Sequence, residues 1–186
     1  IAQSISNSKE AGNDIVVVVS AMGQSTDNLN HLAESISKNP NTRELDMLLS
    51  TGEQVTISLL AMSLNEYGVP AISMTGSQVG IITESIHNKA RILDIKTDRI
   101  QNYIDQGYVV VVAGFQGSTL SHTGSMEITT LGRGGSDTTA VALSTALGAE
   151  TCEIYTDVPG VLTTDPRIVP NAKLLDDISC EEMLEL

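Results

Sequence analysis

The residues with the most chemical potential in this sequence lie in one short stretch, Thr129-Thr130-Leu131-Gly132-Arg133-Gly134-Gly135-Ser136-Asp137. It sets one arginine and one aspartate among three glycines, then runs into a pattern of small and apolar residues. Ala140, Val141, Ser144, Leu147 and Gly148 fall at helical spacing, which predicts a helix closed by a glycine C-cap. The glycine cluster then sits at a helix N-terminus, where amide N–H groups lack intrahelical partners and the helix dipole is positive. Backbone that open lets a large anion approach, and the chemistry it fits is phosphate binding. The same residues also fit a plain helix start with Ser136 or Asp137 as the N-cap. A glycine-rich turn alone does not separate the two readings.

The elements that must position this stretch alternate between apolar strands and amphipathic helices. Residues 15–19, 71–74, 108–113 and 151–156 read as strands; 15–19 and 108–113 are continuous apolar runs of the kind buried on both faces of a parallel sheet. Residues 1–10 read as the tail of a helix. Leu29, Leu32, Ala33 and Ile36 mark a second, residues 45–67 a third interrupted near Thr51-Gly52-Glu53, and residues 98–106 a fourth. Residues 79–83 and 91–95 look extended and able to pair, 114–125 reads as loop or hairpin, and turns are expected at 157–160 and 164–167. The pattern predicts an α/β domain with a mainly parallel sheet covered on both faces. Such folds bind ligands at the C-terminal ends of their strands, here the polar loops after Val19, Met74, Ala113 and Thr156. No G-x-x-x-x-G-K-[ST] occurs, so a nucleotide is not expected on a P-loop.

The chain has 186 residues, 41% hydrophobic and 18% charged, with one Phe, four Tyr and no Trp, which suits one compact domain with an aliphatic core. A net charge of −13 argues against nucleic acid or an anionic membrane as the main partner, but leaves room for a nucleotide in a locally positive cleft. Cys152 and Cys180 are far apart without neighbouring metal-type ligands, so neither a disulfide scaffold nor a zinc site is expected, and a reducing, cytoplasmic setting fits. No apolar run approaches the ~20 residues of a membrane span, and no secretory signal is visible. His31, His87 and His122 have no identifiable partners and receive no catalytic role. The sequence starts without Met inside an apparent helix, and Ser179-Cys180-Glu181-Glu182 reads as a capping box opening another at its end. A segment cut inside secondary structure at both ends is therefore expected.

Five blocks in order carry a resemblance. They are Val16-Val17-Val18-Val19-Ser20-Ala21-Met22-Gly23, Leu49-Ser50-Thr51-Gly52-Glu53, Val112-Ala113-Gly114-Phe115-Gln116-Gly117, the arginine-bearing stretch above, and Tyr155-Thr156-Asp157-Val158-Pro159-Gly160 with Thr164-Asp165-Pro166-Arg167. Over essentially the whole of 1–186 the sequence resembles the aspartokinase branch of the amino acid kinase family. The resemblance implies a three-layer αβα sandwich around a central, mainly parallel sheet, truncated at both ends. It implies ATP-dependent phosphorylation of the L-aspartate side-chain carboxylate to 4-phospho-L-aspartate, the committed step toward lysine, threonine and methionine, with Mg2+ assisting. It also implies a homodimer or higher oligomer in the full-length protein.

By that resemblance Ser20 and Thr26 help hold aspartate, Glu53 receives its α-amino group and Arg133 binds a substrate carboxylate. Asp137 organises the transfer end by orienting a lysine or a metal; no direct protein ligand set for a metal is assigned. Gly134 and Gly135 shape the backbone around the phosphoryl group. Thr156, Asp157, Leu162, Asp165 and Arg167 fall on the nucleotide side, with Leu162 standing where many relatives carry tyrosine. On residue type alone, Glu53 fits a solvated helix residue, Arg133 an exposed arginine, and Asp165-Pro166 a turn. The family's Lys-Phe-Gly-Gly-type strand and loop, its downstream lysine and its C-terminal regulatory domains have no match here. The segment alone is therefore expected to be a partial catalytic domain with little or no turnover. Kinases of acetylglutamate, glutamate or a nucleoside monophosphate, and a non-catalytic aspartate sensor, remain alternatives.

Overall fold

The computed structural model describes residues 1–120, 124–156 and 160–179. They divide into two compact units, Ile1–Cys152 and Glu153–Leu186. In chain order the first unit contains α1 (Ala2–Glu10), β1 (Val16–Val19), α2 (Ser25–Ile36), α3 (Thr42–Leu49), α4 (Thr51–Glu66), β2 (Ala71–Met74) and the one-turn α5 (Gly76–Val79). There follow β3 (Ile81–Thr83), β4 (Ile92–Ile95), α6 (Asp98–Asp105), β5 (Val109–Ala113), β6 (Gln116–Leu120), β7 (Met126–Thr130) and α7 (Gly135–Leu147).

The central strand is β5, whose five residues are all buried. It pairs in parallel with β1 on one side and β2 on the other. Because side chains alternate along a strand, its two faces feed two cores. Val109, Val111 and Ala113 pack with Ile57, Ala61 and Leu64 of α4 and with half-buried Ala2 and Ile5 of α1. Val110 and Val112 pack with Ile100 and Ile104 of α6 and Leu143 of α7. Helices thus cover both faces, giving the expected αβα layering. A second sheet, in the order β4-β3-β6-β7, joins β3 to β6 in parallel but carries antiparallel β3–β4 and β6–β7 pairs. Among the described residues three of the five ladders are parallel, so the expectation of a mainly parallel α/β fold holds.

Several details differ from the sequence reading. The valines of β1 are half-buried rather than enclosed, because β1 has a single ladder neighbour among the described residues. Residues 151–156 form no strand: Ile154 and Tyr155 are exposed, and β-propensity builds no ladder without a hydrogen-bonded neighbour. The N-cap of α7 is Gly134 in the left-handed conformation, with no side-chain cap from Ser136 or Asp137. Its buried face carries Thr139 and Leu143, while Val141 points outward. On α2, Ala33 is buried but Leu32 and Ile36 are exposed. The stretch Thr42–Glu66, 25 residues, is long and apolar enough by composition to cross a membrane, contrary to the sequence reading. Here it supplies Leu49, Ile57, Ala61 and Leu64 to the core and buries Asp46 and Glu53. A helix packed against several elements is apolar on more than one face. His122, Asp157 and the helix expected from Ser179 onward lie wholly or mainly outside the described residues.

In the second unit Leu162 and Leu174 form an antiparallel bridge, flanked by Thr163 N–H to Lys173 C=O (2.9 Å) and Leu175 N–H to Val161 C=O (2.9 Å). The expected turn at Asp165-Pro166 is present. The Asp165 C=O accepts from the Ile168 and Val169 amides.

Candidate active site

A cleft of about 240 Å³ opens at the C-terminal ends of β1 and β5. Ser20 and Ala21 line it from the loop after β1, Thr26 from the first turn of α2, and Glu53 from the first turn of α4. Phe115 follows β5, and Gly132 to Asp137 close the far wall. Five residues that the sequence spreads over more than a hundred positions, Ser20, Thr26, Glu53, Arg133 and Asp137, therefore share one cavity.

Glu53 is the least ordinary of them. A solvated helix residue is one sequence reading; the structure buries it, 3% exposed. Gly52 makes this possible, since a Cβ there would meet the Ala21 Cβ at 2.9 Å. The helix start thus tucks beneath the loop, and Glu53 Oε1 accepts the Ala21 N–H at 3.1 Å. Oε2 is buried without a partner among the described residues. Burial pushes the Glu53 carboxyl above its ordinary value, and the backbone N–H groups of Glu53 and Ala21 pull it partly back. An unpaired buried carboxylate oxygen is costly unless a donor or cation arrives.

The opposite wall supplies positive charge. Gly132 and Gly134 both take positive φ, +81° and +71°, and hold Arg133 between them. Its side chain is exposed and makes no hydrogen bond or ion pair among the described residues. The first intrahelical bond of α7 is Thr138 N–H to Gly134 C=O, so the Ser136 and Asp137 amides precede it. On α2 the Asn28 amide bonds the Gln24 C=O, leaving the Thr26 amide in the same position. Two helix N-termini therefore border the cleft, and their dipoles favour an anion.

The glycines also bring the walls together. A Cβ on Gly114 would lie 2.8 Å from Ser136 Cβ, and one on Gly135 would lie 2.9 Å from Phe115 Cδ2. Phe115 itself sits at φ +67°, unusual for a bulky residue. Its N–H donates to Thr139 Oγ1 (3.2 Å) and its C=O accepts from the Leu131 N–H (2.9 Å). One cleft thus offers a carboxylate to an ammonium group, a guanidinium to a carboxylate, and helix termini to a further anion. A second cleft, about 490 Å³ between β4 and α7, has a mostly apolar and small-residue lining with Asp94 its one charge.

The sequence profile of the amino acid kinase family matches residues 1–186. The chain belongs to the amino acid kinase family. Within that family it is 61% identical over 186 residues to the aspartokinase of Geobacillus stearothermophilus, covering 100% of this chain and 45% of that one. It aligns with the crystal structure of aspartate kinase from Synechocystis at a TM-score of 0.80 and 58% identity, covering 99% of this chain and 30% of that one. Aspartokinase III of E. coli, solved with aspartate and ADP, aligns at a TM-score of 0.67 and 35% identity, covering 81% of this chain and 33% of that one. The chain spans less than half the length of these relatives.

Among the residues expected to serve a nucleotide in an amino acid kinase, Gly134 and Gly135 line the cleft. Thr156, Leu162, Asp165 and Arg167 belong to the second unit, and Asp157 lies outside the described residues. Arg167 is engaged with its own turn: Nε lies 3.1 Å from Asp165 Oδ1, Nη2 lies 2.7 Å from Oδ2, and the Arg167 N–H donates to Oδ1 at 2.8 Å. These bonds hold the half-buried Asp165 carboxyl below its ordinary value.

Sequence reasoning gave no role to Phe115 or Ala21, which line the cleft together with Ser136 of the glycine-rich stretch. Phe115 and Ala21 stand inside blocks that carry the family resemblance, but neither a left-handed aromatic nor a backbone N–H leaves a signature in residue type. It also missed the partners of His87, whose Nδ1 lies 2.7 Å from Asp46 Oδ2. Those residues are 41 positions apart and meet only in the fold.

Proposed function

We propose that this chain is the aspartate-binding part of an aspartokinase catalytic domain, acting on ATP and L-aspartate to give ADP and 4-phospho-L-aspartate. The observation that carries the reading is Glu53 Oε2, a buried carboxylate oxygen without a partner at the wall of the cleft. It suits an α-ammonium group, which supplies both a cation and hydrogen-bond donors. Arg133 offers its planar fork to a substrate carboxylate, and the Ser20 and Thr26 hydroxyls add hydrogen bonds at the strand end. The aspartate- and ADP-bound relative supports the pairing of these two ligands.

The attacking group is already a carboxylate, so positioning matters more than deprotonation. An aspartate side-chain oxygen bonds to the γ-phosphorus while the bond from that phosphorus to the β,γ-bridging oxygen breaks, and its electron pair leaves with ADP. The amides at the start of α7 stabilise charge on the phosphoryl oxygens during this transfer. Mg2+ is commonly held by one or two carboxylates plus substrate phosphates, and Asp137 offers one carboxylate beside the α7 amides. When bound there, Mg2+ supplies charge neutralisation on the phosphates. We assign the nucleotide side to Thr156, Asp157, Leu162, Asp165 and Arg167, with Arg167 Nη1 left unengaged by Asp165.

The reading places the protein in lysine, threonine and methionine synthesis, in the cytoplasm and as a homo-oligomer. The exposed free thiol of Cys152 suits a reducing compartment. The test is calorimetry of this chain with L-aspartate, L-glutamate and N-acetylglutamate, paired with ADP release by the complete enzyme. Binding and turnover selective for aspartate support the proposal. Selectivity for N-acetylglutamate, which lacks a free ammonium group, overturns it, and aspartate binding without turnover in the complete enzyme favours a sensor.

A further inference from the structure

Beneath the Arg133 loop lies a buried polar cluster that the proposed chemistry does not use. Its centre is Asp46 on α3, which is fully buried. Oδ1 accepts the Thr130 hydroxyl at 2.5 Å and the Asn88 N–H at 3.1 Å. Oδ2 lies 2.7 Å from His87 Nδ1, and since a carboxylate can only accept, that nitrogen carries the proton. The other face of the imidazole meets Glu127 on β7, with Nε2 3.6 Å from Oε2.

Everything Asp46 holds borders the arginine loop. Thr130 ends β7, three residues before Arg133. Its C=O accepts the Ala90 N–H at 2.9 Å, which ties the segment after His87 to the same strand end. Asn88 takes φ +66°, and its C=O would lie 3.1 Å from a Cβ on Gly132. The left-handed Gly132 thus seats directly on the segment that Asp46 and His87 fix. A buried polar cluster adds little net stability over an apolar core, yet its hydrogen bonds specify one geometry.

We propose that His87 and Asp46 are positioning residues that set the location of Arg133 in the cleft, and so govern aspartate affinity without touching substrate. This rests on the aspartokinase reading for the identity of the ligand. The positioning itself is independent of it.

The experiment compares His87→Phe, His87→Asn and Thr130→Val with the unaltered chain. It reads amide hydrogen exchange at Ala90 and Leu131 without ligand, L-aspartate affinity by calorimetry, and the melting temperature. His87→Phe removes the donor; His87→Asn places an amide N–H near the same position; Thr130→Val deletes one hydroxyl with little change of shape. His87→Phe and Thr130→Val are expected to speed exchange at both amides and weaken aspartate about tenfold, the scale of a small misplacement of a binding group. His87→Asn is expected to recover most of both. A lower melting temperature with unchanged aspartate affinity, or no change in exchange at Ala90 and Leu131, overturns the proposal. If the unaltered chain binds no aspartate, the substrate reading fails and the exchange data alone decide the positioning. If His87→Phe does not fold, the Thr130→Val results decide the matter.

Discussion

Gln116 and Thr130 stand directly opposite each other in the β6–β7 ladder, and both reach the α3–α4 helix pair. Gln116 Nε2 donates to the Ser50 C=O at 3.0 Å, and the Thr130 hydroxyl donates to Asp46 Oδ1 at 2.5 Å. Asp46 and Ser50 are one helical turn apart, so one cross-strand pair grips one turn of helix. Glu53 begins just beyond that grip on the helix side, and Arg133 just beyond it on the strand side. The two charged residues assigned to the substrate are therefore referenced to a common buried anchor.

Replacing Gln116 by Leu tests the anchor. It leaves the Ser50 carbonyl buried without this donor, a loss of about 1–3 kcal/mol. Chemical denaturation is expected to show that loss. Calorimetry is expected to show weaker aspartate binding by the protein that remains folded.

Glu53→Gln separates charge from shape. Losing the carboxylate partner of an ammonium group is expected to weaken aspartate binding by about 2–3 kcal/mol, measured by calorimetry. Stability moves the other way with pH. The folded carboxyl is raised above its ordinary 4.5, so its favourable contribution is present below that value and lost as pH rises through the raised one. Thermal melts from acidic to neutral pH are expected to show Glu53→Gln gaining on the unaltered protein as pH increases.

Arg133→Ala addresses the opposite wall. The guanidinium has no structural partner among the described residues, so the melting temperature is expected to stay nearly constant. Aspartate binding is expected to fall by about 2 kcal/mol, roughly thirtyfold. Steady-state kinetics of the complete enzyme are expected to show a much larger rise in KM for aspartate than for ATP. A rise confined to ATP would place Arg133 on the nucleotide.

Phe115 invites a paired comparison. Its φ of +67° favours glycine over any residue with a Cβ. Both Phe115→Ala and Phe115→Gly lose the ring, but only glycine relieves the backbone. Denaturation is expected to find the glycine variant more stable than the alanine variant by about 1 kcal/mol. Equal stabilities would mean that the loop relaxes once the ring is gone.

Much of the fold is legible in local sequence because it depends on local periodicity. Residues 108–113 read as a fully buried strand, and β5 is one. The helix after Gly134 and its glycine C-cap follow from spacing alone. Residues 151–156 show the limit: an apolar run states a preference, but a strand also needs a neighbour. The burial of Leu143 rather than Val141 shows another, since a small-residue helix leaves its orientation to the surfaces that pack on it.

The site divides in the same way. Residue types alone showed only that a glycine-rich helix start holding Arg133 and Asp137 could receive an anion; it was the ordered blocks of the family resemblance that singled out Ser20, Thr26, Glu53, Arg133 and Asp137 for a charged amino acid and a phosphate. Tertiary structure alone decided that Glu53 is buried with one oxygen unpaired, that Phe115 is held in a left-handed turn, and that Asp46, His87 and Thr130 meet beneath the arginine loop. Burial and partnership depend on contacts between residues 32 to 84 positions apart. No local pattern encodes them, since only packing of the α3–α4 helices against the sheet brings those residues together.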